Sequence, residues 1–339
     1  MTRDAIAAID IGGTKIALGL AGLDGQPLIF RRFPTRVERG PHALVGEACD
    51  ELERMAGETG ARLVSVGIGC GGPLDRGRGL ILSPPNLPGW DEFPIVRLVE
   101  ERLSLPVLLD NDANAAALGE HEYGAGRGVR NLVYITISTG IGGGLIINDQ
   151  LVHGVGDGAG EVGHMVVEPG GAPCGCGARG CLEALCSGTS IARRAVERLA
   201  RDERPSMLRE AGGAANITAH SVAVAAQAGD PVAGAVWDET IQYLAAGLSN
   251  IIAALAPEAI ILGGGVSTSG DQLLVPLRGR VRESVKIMPV EQVRILQAAL
   301  GGDSGIHGAL IIGRRALAAR ETHGDDALAA SGEREASRA

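Results

Sequence analysis

The chain has 339 residues, of which 45% are hydrophobic and 21% are charged, and its formal net charge is −9. A chain of this length and composition folds around a buried core without disulfide bridges, which excludes a protein disordered over most of its length. The acidic balance argues against binding to the phosphate backbone of nucleic acids.

The apolar segments are too short or too interrupted to act as targeting or membrane segments. The first, residues 5–9, is shorter than the core of a signal peptide. The longest, residues 251–266, is broken by Pro257, Glu258 and three glycines, so it does not suit a membrane-spanning helix. We therefore expect a cytoplasmic protein that does not bind membranes.

The first part of the chain predicts several strands and then alternating helices and strands. Predicted strands span residues 5–9, 15–21, 28–33, 62–69 and 105–109. Predicted helices span residues 41–60, 91–103 with Asp91 as the cap, and 113–123. In the first helix, apolar residues recur at helical spacing and should face the core: Leu44, Ala48, Leu52 and Met55.

The same order of elements begins again after the glycine-rich segment 124–128. Predicted strands span 131–138, 145–148, 259–262 and 293–297. Predicted helices span 189–201, 221–228, 231–256 and 306–319, with one more between 265 and 293. The fold class is therefore α/β, with two similar halves that suggest an internal structural duplication. Residues 321–339 are small and polar, and we expect them to form a disordered tail.

A glycine-rich segment joins the first two predicted strands. It follows the carboxylate of Asp10 and contains Gly12, Gly13, Thr14 and Lys15. A dinucleotide-binding fold would continue here as a helix, whereas this sequence continues as a strand. The segment predicts a tight β-hairpin whose backbone N–H groups can face a phosphate, with Asp10 able to hold Mg²⁺ through water. A plain surface turn is the alternative.

A second segment of the same kind joins the strands that open the second half. It reads Ser-Thr-Gly-Ile-Gly-Gly-Gly over residues 138–144 and contains Thr139, Gly140 and Gly142. Either segment alone could be an ordinary glycine-rich turn. Two of them, one opening each half, resemble the actin/hexokinase-like (ribonuclease H-like) ATPase fold, in which each of two domains contributes one hairpin to ATP.

One glycine-rich loop combines an imidazole with three thiols. The residues are His164, Cys174, Cys176 and Cys181. Three thiolates and one imidazole form a closed tetrahedral set for Zn²⁺, and the surrounding glycines let a loop wrap around an ion. Because no position is left for a reactive water, we expect a structural zinc site. Core cysteines without a metal are the alternative.

These motifs together resemble the ROK family, which contains bacterial sugar kinases and sugar-responsive repressors, and within it most closely the ROK glucokinases. The resemblance covers about residues 4–320 and rests on the segments 10–15, 111–116, 138–143, 160–164 and 174–183. The repressors carry a DNA-binding domain ahead of the first hairpin. Here that hairpin begins at Asp10, so we expect an enzyme rather than a repressor.

The resemblance implies a small N-terminal domain of residues 1–122 plus about 306–320, and a large domain of residues 123–305. It implies that Asp112 is the catalytic base, which accepts the proton of the attacking sugar hydroxyl; a helix N-cap is the alternative role for this residue. The implied sugar ligands are Asn86, Asn111, Asp112, Glu161, His164 and Glu183.

The resemblance also implies a set of ATP contacts and a homodimer. The two hairpins and the loop after strand 259–262, which looks like an adenosine-binding loop, would bind ATP through Asp10, Gly12, Gly13, Thr14, Lys15, Thr139, Gly140, Gly142, Gly264 and Gly265. The expected cofactors are Mg²⁺ with ATP and structural Zn²⁺.

The expected reaction is phosphorylation of a hexose at its 6-hydroxyl by ATP, with glucose as the first candidate. N-acetylmannosamine and N-acetylglucosamine are alternative acceptors, and polyphosphate is an alternative donor. A sugar-sensing protein without catalytic activity is the alternative of another class.

Overall fold

The computed structural model describes residues 3–210 and 213–336. The chain divides into two compact units, the first formed by Met1–Gly119 with Asp303–Ala339 and the second by Glu120–Gly302. The expected domain boundaries, at 122/123 and 305/306, lie a few residues from these.

The chain up to residue 122 forms a series of strands and three long helices. In order they are β1 (Arg3–Ile11), β2 (Lys15–Gly22), β3 (Pro27–Pro34), α1 (Pro41–Thr59), β4 (Ala61–Cys70), β5 (Leu74–Asp75), β6 (Leu80–Ile81), α2 (Ile95–Leu103), β7 (Val107–Asn111) and α3 (Asp112–Glu122).

The rest of the chain is richer in helix. Its elements are β8 (Leu132–Ile137), β9 (Ile141–Ile147), β10 (Gln150–Val152), α4 (Leu182–Cys186), α5 (Gly188–Leu199), α6 (Ala219–Gln227), α7 (Pro231–Leu255), β11 (Ala259–Gly263), α8 (Asp271–Ser284), β12 (Arg294–Gln297) and α9 (Ser304–Ala336). None of the helices in the described part of the chain is long and apolar enough to span a bilayer.

The main sheets of the two units have the same topology. The first has the strand order β3-β2-β1-β4-β7 and the second the order β10-β9-β8-β11-β12. In each sheet, three consecutive strands joined by hairpins are antiparallel. The first of these three also pairs with a parallel strand, which in turn pairs with a second parallel strand. The fold is thus α/β with two similar halves, as the sequence predicts. The glycine-rich hairpins follow the carboxyl ends of β1 and β8. Ligands of parallel sheets bind outside the carboxyl ends of the strands, so the hairpins lie where a ligand is expected.

Helix α9 packs on the first sheet through glycines. A Cβ atom on Gly67 in β4 would lie 1.9 Å from the carbonyl oxygen of Ala309 and 2.3 Å from the nitrogen of Gly313, both in α9. A Cβ atom on Gly308 would lie 1.6 Å from the carbonyl oxygen of Ala115 in α3. Only glycine permits this approach of backbone to backbone. It brings the first turn of α9 to the carboxyl edge of the first sheet.

The start of α2 differs from the expectation. The helix begins at Ile95 with Pro94 in the cap position, so Asp91 is not its N-cap. The carboxylate of Asp91 accepts a hydrogen bond from the hydroxyl of Ser83 instead. The physical reason is that Pro94 fixes its own φ and disfavours helical backbone at the residue before it, so the first turn forms only after it.

Helix α9 begins at Ser304, close to the expected start at residue 306, and extends to Ala336. The expected disordered tail of residues 321–339 stays a prediction. Alanine, glutamate and arginine favour helix, and they recur between residues 321 and 336. The remainder of the expected tail, residues 337–339, lies outside the described residues.

Candidate functional site

The first glycine-rich segment is a tight hairpin between β1 and β2. Ile11 pairs with Ile16, and the N–H of Gly12 donates to the carbonyl of Lys15 at 3.0 Å. Thr35 braces the turn from outside, because its hydroxyl donates to the carbonyl of Gly12 at 2.6 Å and its N–H to the carbonyl of Thr14 at 2.9 Å. We name residues 10–15 hairpin 1.

The loop that carries Asn86 lies directly on hairpin 1. A Cβ atom on Gly13 would lie 2.9 Å from Cβ of Asn86 and 3.0 Å from its carbonyl oxygen. Gly13 therefore has no room for a side chain. Asn86 itself is exposed, while the next residue, Leu87, is buried and anchors the loop. One predicted sugar ligand is thus beside the predicted phosphate hairpin.

Two further predicted ligands form the corner between β7 and α3. The N–H of Ala113 donates to Oδ1 of Asn111 and to Oδ1 of Asp112, both at 2.8 Å. Helix α3 begins at Asp112, so Asn111 and not Asp112 occupies the N-cap position, and the carboxylate of Asp112 lies in the first turn of the helix. Across from it, a Cβ atom on Gly71 would lie 3.6 Å from Oδ2 of Asp112, and one on Gly72 3.2 Å from Nδ2 of Asn111. Small residues keep this corner open.

Asp110 orders this corner, a role that our reading of the sequence left unassigned. It is 3% exposed, and its Oδ1 accepts the N–H of Asn111 at 2.8 Å and the side-chain amide of Asn114 at 2.9 Å. Its Oδ2 lies 3.4 Å from Nε of Arg76. A buried carboxylate needs such partners. In the sequence, the signal for this role was a charged residue near the end of an apolar strand, directly before Asn111 and Asp112.

Asp10 lies at the end of β1, close to the start of α9. A Cβ atom on Gly305 would lie 2.8 Å from Oδ2 of Asp10. Burial and the neighbouring carboxylate of Asp112 raise the pKa of Asp10 to about 7, against the opposing effect of Lys15 and Arg32. Neighbouring carboxylates suit a hard, oxygen-seeking cation such as Mg²⁺, which would favour the ionised form of Asp10. Hairpin 1, Asn86, Asn111 and Asp112 therefore gather in the first unit.

The second glycine-rich segment is also a hairpin, but its turn is shorter than expected. Strand β9 begins at Ile141, so the turn is residues 138–140, and Gly142 with the two glycines after it lies in the strand. Gly143 within this strand allows a close approach from elsewhere in the chain, since a Cβ atom on it would lie 2.7 Å from the carbonyl oxygen of Gly160. We name residues 138–141 hairpin 2.

Hairpin 2 is held by the chain segment around α4 and α5. The N–H of Gly188 donates to the carbonyl of Ser138 at 2.7 Å, and the hydroxyl of Thr189 donates to the carbonyl of Thr139 at 2.8 Å. Oε2 of Glu183 accepts the N–H of Ile141 at 2.8 Å. Glu183, predicted as a sugar ligand, is therefore in contact with the predicted phosphate hairpin of its own unit.

The loop that carries Glu161 and His164 packs on the start of β9. A Cβ atom on Gly163 would lie 2.1 Å from the carbonyl oxygen of Ile141. Oε2 of Glu161 is 3.8 Å from Nε2 of His164, and the Glu161 side chain is exposed. Both predicted ligands are thus adjacent to hairpin 2.

The predicted adenosine-binding loop follows β11 and meets the end of β8. Gly264 has a φ of +80°, and a Cβ atom on it would lie 2.4 Å from the carbonyl oxygen of Ile137. Gly265 begins the next turn and has open space around it. Only glycine suits position 264, and the loop therefore lies beside hairpin 2 in the second unit.

The four predicted zinc ligands converge. Their ligand atoms all lie within 4.8 Å of one another, with Sγ of Cys174 3.6 Å from Nδ1 of His164 and Sγ of Cys176 3.7 Å from Sγ of Cys181. A tetrahedral site with Zn–S bonds of about 2.3 Å requires sulfur atoms roughly 3.8 Å apart, so the spacing and the donor set fit Zn²⁺. Burial and the neighbouring thiols raise the pKa of Cys181 to about 12, so metal binding has to release its proton.

The loop around this cluster is fixed to the body of the second unit. A Cβ atom on Gly180 would lie 1.7 Å from the carbonyl oxygen of Glu168, and the Glu168 carboxylate accepts a hydrogen bond from Tyr243 of α7 at 2.7 Å. The N–H of Leu182 donates to the carbonyl of Met165 at 2.9 Å. The loop is therefore held at both of its ends.

Comparison with known proteins assigns the chain to a family. The ROK family model matches residues 6–316. The chain belongs to the ROK family. It is 38% identical over 304 residues to a glucokinase of Halalkalibacterium halodurans, which covers 88% of this chain and 92% of that protein.

A solved relative has the same fold. The crystal structure of a ROK family glucokinase from Streptomyces griseus in complex with glucose and AMPPNP has a TM-score of 0.76 and 35% identity, and the match covers 92% of this chain and 99% of that one. An N-acetylmannosamine kinase of Shigella flexneri is 33% identical over 307 residues, 91% of this chain and 97% of that protein.

Proposed function

We propose that this protein is a glucokinase that transfers the γ-phosphoryl group of ATP to the 6-hydroxyl of D-glucose. The observation that carries the proposal is the corner at Asn111 and Asp112, a carboxylate fixed at a helix N-terminus beside an amide. It occurs in a ROK chain that is 38% identical to a glucokinase over most of its length.

In this mechanism Asp112 is the general base. Its carboxylate accepts the proton of the attacking hydroxyl as the phosphoryl group is transferred, and Asn111, Asn86, Glu161, His164 and Glu183 bind the other hydroxyls of the sugar. Carboxylates and amides suit this task because each can bind adjacent hydroxyls. Phosphoryl transfer otherwise depends on positioning and charge neutralisation, which hairpin 1 and hairpin 2 supply through backbone N–H groups.

The proposed metal ions have separate tasks. Mg²⁺ bound with ATP would neutralise charge on the phosphates, and Asp10 would hold it through water. Zn²⁺ would be bound by His164, Cys174, Cys176 and Cys181, and it would be structural because the four side chains complete a tetrahedral set. Nδ1 of His164 faces Cys174, which leaves Nε2 to donate to a sugar hydroxyl.

A second candidate is N-acetylmannosamine kinase, favoured by the relative of that name from Shigella flexneri at 33% identity. A coupled assay of ADP release with ATP and a panel of hexoses distinguishes the two. We expect the highest kcat/KM with glucose. A higher kcat/KM with N-acetylmannosamine or N-acetylglucosamine would replace glucose as the substrate, and tight sugar binding without turnover would favour a sensor.

A further inference from the structure

The carboxylate of Glu183 is built into the turn of hairpin 2. Its Oε2 accepts the N–H of Ile141 at 2.8 Å. A Cβ atom on Gly140 would lie 2.6 Å from the same oxygen, so a side chain at position 140 would displace the carboxylate. One oxygen of a predicted sugar ligand therefore restrains a predicted phosphate-binding turn.

The backbone of Glu183 is equally constrained. The residue lies in the first turn of α4, two positions after the predicted zinc ligand Cys181. Its carbonyl accepts the hydroxyl of Ser190 at 2.8 Å and the N–H of Ser187 at 3.1 Å. Because the main chain is fixed, the carboxylate cannot follow a moving ligand without giving up its bond to Ile141.

We propose that Glu183 is a positioning residue that couples sugar binding to the geometry of hairpin 2. The inference rests on the proposed function, in which the remaining acceptor sites of this carboxylate bind a hexose hydroxyl. A hydroxyl that donates to the carboxylate restrains it, and the restrained carboxylate holds the N–H of Ile141 and the turn next to it. Such coupling is reciprocal, so the nucleotide also favours sugar binding.

The first test alters the hairpin side of the contact. Gly140→Ala places a methyl group against Oε2 of Glu183. We expect the KM for glucose to rise about 5-fold or more together with the KM for ATP, although residue 140 belongs to the nucleotide hairpin. Gly234→Ala in α7 is the matched control, since a Cβ atom there meets nothing within 4 Å, and it should leave both KM values unchanged. An unchanged KM for glucose in Gly140→Ala overturns the proposal.

The second test does not depend on catalysis. Amide hydrogen exchange at residues 139–141 should slow when glucose, or whichever hexose the substrate panel identifies, is added to the wild-type protein. In Glu183→Ala the exchange should be about tenfold faster and no longer respond to the sugar. If the wild-type protein phosphorylates no hexose but its exchange still slows with the sugar, the proposed function is wrong and the coupling stands. Wild-type protein that phosphorylates the sugar without any change in exchange would reject the coupling alone.

Discussion

Oδ1 of Asp110 accepts the backbone N–H of Asn111 at 2.8 Å, and this bond fixes the chain one residue before Asp112. The same oxygen accepts a hydrogen bond from the side-chain amide of Asn114 in the first turn of α3. The end of the strand and the start of the helix are thereby locked together through one buried carboxylate. The orientation of Asp112 thus depends on a neighbour that need not touch substrate.

Asp110→Ala should destabilise the protein by about 1–3 kcal/mol, because it leaves buried donors without their acceptor. Chemical denaturation measures this change, and kcat should fall with it as the corner loses its order. Asp24→Ala is the control in the same unit, since Asp24 forms an exposed ion pair with Arg3 and such pairs contribute little. Equal stability of the two variants would contradict the role assigned to Asp110.

Asp112→Asn should keep the fold and still bind glucose, because the amide is isosteric with the carboxylate and can still form hydrogen bonds. It should lose kcat by roughly 10²-fold or more, the effect of removing a general base. Steady-state kinetics together with calorimetric titration of glucose separate the two effects. A kcat within a few-fold of the wild-type value would remove Asp112 from the mechanism.

Gly264→Ala should raise the KM for ATP, because the added methyl group meets the carbonyl of Ile137 and the backbone has a positive φ. Gly265→Ala is the matched comparison, since its methyl group would point into open space. The ATP KM of Gly264→Ala should exceed that of Gly265→Ala several-fold. A higher ATP KM in Gly265→Ala than in Gly264→Ala would indicate that the adenosine binds elsewhere.

Cys176→Ser should abolish stoichiometric zinc, which elemental analysis of the purified protein measures. Metal loss should weaken glucose binding, because the predicted sugar ligands Glu161, His164 and Glu183 belong to the metal loop or lie next to it. The contact between Glu183 and Ile141 extends the expected effect to hairpin 2, so ATP affinity should fall as well. Metal-free protein with wild-type affinity for both ligands would show that the metal does not organise this part of the site.

Asp230 should make the free energy of unfolding decrease as the pH falls in the acid range. It is 5% exposed, and although its burial raises the pKa, hydrogen bonds from the N–H of Ala233, the hydroxyl of Ser206 and the N–H of Met207 lower it below the usual range. The stabilisation is therefore complete above the unfolded pKa, about 3.9, and is lost as the pH falls through the lower folded value. Asp230→Asn should reduce the unfolding free energy at pH 7 and flatten its decrease in acid; an unchanged pH dependence would contradict this role.

The sequence predicts the strands and hairpins well because their signals are local. Apolar strands flank each glycine-rich turn, and Leu44, Ala48, Leu52 and Met55 are buried on one face of α1 as their spacing predicts. The second hairpin is less well predicted. Gly143 lies in β9 and is in close contact with Gly160, and nothing near it in the chain indicates that contact.

In the candidate site, too, features within one short segment are predictable from the sequence, whereas contacts between distant residues are not. The zinc ligands are recognisable because three of them fall within one short loop, whereas the contact between Glu183 and Ile141 joins residues 42 positions apart. The role of Asp110 depends on Asn114 and Arg76 reaching it in the folded chain. Such contacts follow from the topology of the sheets and are not encoded in any single motif.

The identity of the product tests the central claim most directly. Wild-type protein incubated with ATP, Mg²⁺ and ¹³C-labelled glucose should give one product, and NMR should place the phosphate on the oxygen of carbon 6, with one ADP formed for each product molecule. Phosphate on another hydroxyl, or ATP hydrolysis without a phosphorylated sugar, would contradict the assignment as a glucokinase.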